Sequence, residues 1–319
     1  MRTSQSWLRR SAAFGAFVWV TIQWFIPWHS TEITLTSRLV LLAILVNTPL
    51  AMSLIKGTYL DDALPLPLKI AEIFQPFAAI LAAISFVVTE GVTAAAFVSP
   101  WLLVTGLIAL GGLIRLLKRI PGYSEAAMTA GMLYFPVGGA WLIASRLGYR
   151  PLGFGIAIVL LTAMHFHYAG FAASVITSMV GRMIGHAESG FRVAYKIVAV
   201  GVIIGTPLLA AGITFSPALE VVAASILALS LIGLSILIVS AVVPVIQNAT
   251  SRWLLLFGSV FVFGAMIFAA AYSIGSVSGH PIVSIPQMVQ SHGIANAFGF
   301  TLCSLLGFSI YQSSVNGEN

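Results

Sequence analysis

The chain has 319 residues, 59% of them hydrophobic and only 8% charged, with a mean hydropathy of +1.02. A soluble domain of this size cannot bury that much apolar surface, so lipid must be its solvent. The formal charge of +6 does not point to nucleic acid, because the basic residues form small clusters between long apolar runs, the spacing of cytoplasmic loops.

Near the amino terminus, Arg2, Arg9 and Arg10 precede the apolar stretch Ala12–Trp28, an arrangement that resembles a signal peptide. Ile26-Pro27-Trp28-His29 offers no small-residue cleavage site, however, so a retained first span is expected. Crossing a ~30 Å hydrocarbon layer takes roughly 20 apolar residues. Stretches of this kind follow at Leu39–Ile55, Leu66–Val88, Thr93–Ile114, Ala126–Ala144 and Leu152–Val180. The remainder are Ala194–Phe215, Leu219–Ile246, Trp253–Ile274 and Met288–Tyr311. The fold class is therefore all-α, a polytopic transmembrane helix bundle of about ten spans, or nine if Leu66–Val88 does not fully cross.

Charge checks the count, because positive residues collect at cytoplasmic span ends. With the amino terminus inside, the inner segments hold Arg2, Arg9, Arg10, Lys56, Lys69, Arg115, Lys118, Arg119, Arg182, Arg192, Lys196 and Arg252, and the outer ones only Arg38, Arg146 and Arg150. Both termini are then cytoplasmic. No hydrophilic stretch is long enough for a soluble domain, so residues 1–319 read as a single integral membrane domain. Pro49, Pro76, Pro100, Pro136, Pro207 and Pro244 lie in or beside six spans and invite kinks that can line a cavity. Cys303, the only cysteine, can form no intramolecular disulfide and reads as a packing residue.

An ionisable group in hydrocarbon costs roughly 2.5–3.5 kcal/mol on insertion scales, so one inside a span requires a partner, water or a function. Glu32, Asp61, Asp62, Glu90, Glu125, Glu188, Glu220 and Glu318 fall at span ends or in loops, which leaves Glu72, with Gln75 one turn beyond it. The sixth span carries Met164-His165-Phe166-His167-Tyr168-Ala169-Gly170-Phe171. On a regular helix residues two apart diverge by about 200°, so His165 and His167 do not chelate one metal together, whereas His165 and Tyr168 share a face.

The last span places His292, Asn296, Gly299 and Cys303 on one stripe, suited either to helix packing or to a site. Helical rise puts Glu72 roughly 10 Å from the inner end of its span, and His165 and His167 are expected at comparable depth. Together they would form a carboxylate–imidazole acid/base pair, with Gln75 joining the network. His292 and Asn296 are expected nearer the outer side, and His29, His186 and His280 in loops.

The run His165-Phe166-His167-Tyr168-Ala169-Gly170-Phe171, followed by His292-Gly293-Ile294-Ala295-Asn296-Ala297-Phe298-Gly299-Phe300, resembles the YndJ-like family of bacterial multi-pass membrane proteins, mainly over the carboxyl-terminal two-thirds. The resemblance implies a polytopic bacterial membrane protein with these two segments as its signature, and it brings no reaction with it.

The residues favour an intramembrane enzyme performing cofactor-free acid/base cyclisation, hydration or isomerisation of a lipophilic, isoprenoid or polyene substrate. Glu72, His165, His167 and Tyr168 are the expected catalytic groups, and Gln75, His292 and Asn296 the substrate-binding ones. The expected partners are the bilayer and this substrate, with neither metal nor cofactor. Two alternatives remain open. One is a haem or metal protein using histidines of two spans, betrayed by a visible band or bound metal. The other is a proton-coupled transporter with Glu72 and the histidines as relay.

Overall fold

The computed structural model describes residues 2–25, 32–59, 64–118, 122–185, 187–280 and 282–316. The expectations for Ile26–His29, Asp61, Asp62, Arg119, His186 and Glu318 lie outside them. Long helices dominate, and no strand occurs among the described residues. Helix α1 covers Arg2–Ile22. It is followed by α2 (Thr34–Lys56), α3 (Leu66–Ser85), α4 (Val92–Lys118), α5 (Tyr123–Leu147) and α6 (Ile156–Ile184). Helices α7 (Ser189–Phe215), α8 (Pro217–Val245), α9 (Ala249–Ser278) and α10 (Ile285–Val315) complete the chain.

Nine helices, α2 to α10, are long and apolar enough among the described residues to cross a membrane. Helix α3, on which the alternative count of nine turned, qualifies. The helix outside the nine is α1, whose apolar stretch is diluted by Arg9 and Arg10. It nevertheless runs antiparallel along α2. Ser11 Oγ donates to Gln75 Oε1 at 3.0 Å, and Trp19 Nε1 donates to the Arg38 carbonyl at 2.8 Å. Between them a Cβ at Gly15 would stand 1.9 Å from the Leu45 carbonyl oxygen, so only glycine permits this approach.

Two compact units emerge, one made of Met1–Ile120 and Met132–Phe171, the other of Pro121–Gly131 and Ala172–Asn319. In the first, α2 is the central post, with 94% of its apolar window buried against 50% for α3 and 39% for α4. A helix apolar all round belongs in such a position, because it has no polar face to turn elsewhere. At the end of α5, Arg146 closes the α3–α4 turn. Its Nε and Nη2 donate to the Ser85 and Val88 carbonyls at 3.1 and 3.0 Å, its guanidinium lies 4.9 Å over the Phe86 ring, and Glu90 stands 3.5 Å away. Orphan carbonyls at a helix end require such a donor, which accounts for this arginine on the sparsely charged outer side.

In the second unit, α7 and α8 form a hairpin across Ser216, whose hydroxyl caps α8. Asn248 caps α9 by accepting from the Ser251 amide at 3.0 Å. Ser284 and Gln287 form a capping box at the start of α10. Arg182 and Glu125 are paired in this unit.

Five stretches depart from α-helical winding into π-helix: 43–47 in α2, 166–172 in α6, 238–242 in α8, and 289–293 and 295–302 in α10. A π turn shifts the backbone N–H from the i−4 to the i−5 carbonyl, which changes the register and leaves acceptors for side chains. The side chains oblige. Gln75 Nε2 donates to the Ile44 carbonyl at 3.1 Å, Thr48 Oγ1 to Ala43 at 2.8 Å, and Asn296 Nδ2 to His292 at 2.8 Å.

Candidate functional site

The polar motif of α6 lies on the π turn at 166–172, immediately after a regular helix that ends at His165. His167 is 2% exposed and fully engaged. Its Nδ1 is 2.7 Å from the Ala163 carbonyl, and Trp101 Nε1 of α4 donates to its Nε2 at 2.9 Å. An indole N–H only donates and a carbonyl only accepts, so Nε2 carries the lone pair and Nδ1 the proton. The ring is thereby held as one neutral tautomer. Phe135 meets it edge-on at 5.1 Å and stacks on Phe171 at 4.0 Å. Gly138 of α5 makes the room, since a Cβ there would lie 2.8 Å from Nδ1.

Trp101→Phe strands the His167 acceptor in this apolar box and is expected to destabilise the protein by about 1–3 kcal/mol. The double variant Trp101→Phe/His167→Leu, which leaves neither partner polar, recovers most of that loss in thermal unfolding in detergent. Equal destabilisation of both variants would mean that shape, and not the hydrogen bond, holds the box.

His165 differs in one respect. Its Nδ1 donates to the Leu161 carbonyl at 2.9 Å, which leaves Nε2 as the lone-pair nitrogen, and that nitrogen has no hydrogen-bond partner among the described residues. The ring is half-buried. Tyr168 turns to α2 and donates to the Leu39 carbonyl at 2.8 Å. The two histidines bond through Nδ1 to different carbonyls, those of Leu161 and Ala163, and the winding beyond His165 is π and not α.

The expected Glu72–histidine pair requires correction. Lys56 Nζ donates to both Glu72 oxygens, at 2.9 and 2.6 Å. Helix α2 serves as a ruler: Lys56 marks the level of Glu72 and Leu39 that of Tyr168, about 25 Å apart at 1.5 Å per residue. The reason is direction. Helix α6 starts at the level of Leu39, so His165, its tenth residue, lies near that end of α2, while Glu72 lies two turns from the start of α3, near the Lys56 end. Gln75 is likewise engaged, by Ser11 and Ile44.

His292 and Asn296 belong to the second unit. His292 Nδ1 donates to the Ala265 carbonyl of α9 at 2.9 Å, and Asn296 bonds back to its own helix. The two do share a face, but the stripe reckoned through Cys303 at α-helical spacing is interrupted by π winding over 289–293 and 295–302. His280 is exposed on its loop, as expected. Among the described residues no group of three or more His, Cys, Asp or Glu stands together as a metal site.

Sequence reasoning missed Trp101, Phe135, Gly138 and Asn47. Asn47 has a legible signal, since it is the one carboxamide in the apolar run Leu39–Ile55, although it carries no charge.

Stacked apolar helices, engaged polar side chains and π turns bearing the histidines define a multi-pass α-helical membrane protein. The chain belongs to the YndJ-like family, whose model matches residues 38–300 and so takes in α2 to α9 and the first half of α10, a wider span than the resemblance rested on. It is 28% identical over 294 residues to the membrane protein YndJ of Bacillus subtilis (strain 168), covering 90% of this chain and 50% of that relative. The chain thus spans about half the length of the curated relative it matches. No solved structure matches it.

Proposed function

We propose that the chain is an intramembrane acid/base protein acting on a lipophilic substrate, with His165 as the group that exchanges the proton. The observation that carries this is the His165 imidazole, oriented through Nδ1 by the Leu161 carbonyl, with no hydrogen-bond partner at Nε2 among the described residues. Such a nitrogen takes a proton from a substrate carbon made acidic by a neighbouring carbonyl, and the Nδ1–H bond to a carbonyl stabilises the imidazolium that forms. Returning that proton to a different carbon shifts a double bond. One C–H bond breaks and one forms, so isomerisation balances without a co-reactant, and of the three reaction types considered it suits a single base best.

His167 and Tyr168 act as positioning residues that hold the π turn to α4 and α2. Glu72 and Gln75 tie α1, α2 and α3 together and receive no step, and His292 and Asn296 are left out of the reaction.

The test compares total lipid extracts, by mass spectrometry, of cells with and without the full chain. An isomer pair whose ratio changes at constant mass is the expected result. Unchanged extracts, with proton uptake by proteoliposomes, would replace the enzyme by a transporter. A visible absorption band or stoichiometric metal in purified protein would replace it by a cofactor protein.

A further inference from the structure

The first unit holds a second polar feature for which neither packing nor the acid/base proposal accounts. Asn47 is 2% exposed, at the end of the π turn of α2, with every residue of that turn buried. Neither its Oδ1 nor its Nδ2 completes a well-formed hydrogen bond among the described residues. The amide lies within side-chain hydrogen-bonding reach of the Tyr168 hydroxyl, whose own proton is donated to the Leu39 carbonyl. A buried amide that bonds to nothing is costly, and an apolar side chain of the same shape would serve the core better. Nearby polar groups are satisfied: the Ile44 carbonyl by Gln75 and the Ala43 carbonyl by Thr48. Asn47 is the polar side chain of this turn whose amide is incompletely satisfied, and it faces a hydroxyl on the π turn that also carries the histidines.

We propose that Asn47, with Tyr168 beside it, receives the uncharged oxygen group, hydroxyl or carbonyl, of an otherwise apolar lipid. This rests on the acid/base reading only for the lipid's being a substrate; recognition by Asn47 stands on its own geometry. A carboxamide donates to a carbonyl through Nδ2, and pairs with a hydroxyl through both Nδ2 and Oδ1. It offers no charge to a carboxylate, and an alkane leaves both its atoms unpaired. Sites built around hydrogen bonds discriminate strongly for that reason. Both α2 and α6 carry a π turn here, each of which changes the helical register by one residue.

The experiment uses the full chain in detergent, labelled by a photoreactive diazirine analogue of hexadecanol. Hexadecanol, the methyl ketone of equal length, hexadecane and palmitate serve as competitors. Alcohol and ketone are expected to displace the probe about tenfold better than alkane or palmitate, and whichever is stronger identifies the oxygen group. Asn47→Leu abolishes this preference and leaves the thermal midpoint unchanged or raised.

Equal competition by hexadecane, absence of saturable labelling, or a lowered midpoint for Asn47→Leu would each overturn the proposal, the last by making Asn47 structural. The competition series on the unaltered protein decides the matter even if the variant misfolds. A selectivity that survives while His165→Asn leaves the lipid extracts unchanged would sink the acid/base reading alone. The reverse pattern would sink this one alone.

Discussion

His165→Asn is expected to lower formation of the isomerised lipid by roughly 10²–10⁴-fold, the usual contribution of a positioned acid or base, while the thermal midpoint stays where it was. Asparagine places its Nδ2 where histidine has Nδ1, so the donation to the Leu161 carbonyl at 2.9 Å is retained. What disappears is Nε2, the nitrogen without a partner. The substitution therefore separates chemistry from packing in a way that alanine does not. His167→Asn is the companion: it removes the acceptor of the Trp101 N–H, and its defect falls on stability. The pH profile adds a readout independent of folding, because the limb that reports imidazole ionisation vanishes in His165→Asn and persists in a stable His167 variant. Undiminished product from His165→Asn would end the proposal. So would a loss matched by an equal loss of folded protein.

Lys56→Met carries the second large effect, and it falls on the scaffold. Lys56 donates to both Glu72 oxygens in a cleft lined by Leu8, Met52, Ile55, Leu64 and Leu68. Removing one member of a buried pair typically costs about 3–5 kcal/mol, because the remaining carboxylate loses a counter-charge held at hydrogen-bond distance. Here 14% and 11% of the two side chains remain exposed, and that access brings the expectation down to about 2–3 kcal/mol. The double variant Lys56→Met/Glu72→Leu removes both charges and is expected to lie within about 1 kcal/mol of the unaltered protein. Chemical denaturation in mixed micelles measures both. A single variant as stable as the parent would show that the pair is a solvated surface contact, and its role in joining α2 to α3 would fall.

Much of the scaffold is written in composition. Apolar runs of spanning length needed only counting, because a helix in lipid must satisfy its backbone internally, and each expected span from Leu39 onward finds its helix. The site was harder to read, for two physical reasons. Facing arguments assume 100° per residue, and the π turns at 43–47, 166–172, 289–293 and 295–302 lie under the very polar residues to which those arguments were applied. Their support is partly tertiary: Gln75 of α3 donates to the Ile44 carbonyl, a partner that no local propensity encodes, beside local ones such as Thr48 and Asn296. The second reason is that pairing was inferred from depth. Glu72 was matched to imidazoles when a lysine already counted among the inner-side charges, Lys56, was its partner. Asn47 was passed over because an amide carries no charge, although an unmet amide in an apolar core is as informative as a carboxylate.

The boundary between the two compact units passes through the middle of α5, at Gly131–Met132, and of α6, at Phe171–Ala172. The chain therefore cannot be cut in its loops into halves that each contain one whole unit. Synthesis follows the same logic. The first unit lacks its histidine turn until α6 has emerged, by which time Pro121–Gly131, made earlier, still awaits the helices that will surround it. Each unit matures only once part of the other has been translated, so biogenesis couples the two even though their contacts cluster separately. A ribosome stalled between α5 and α6 leaves neither unit finished.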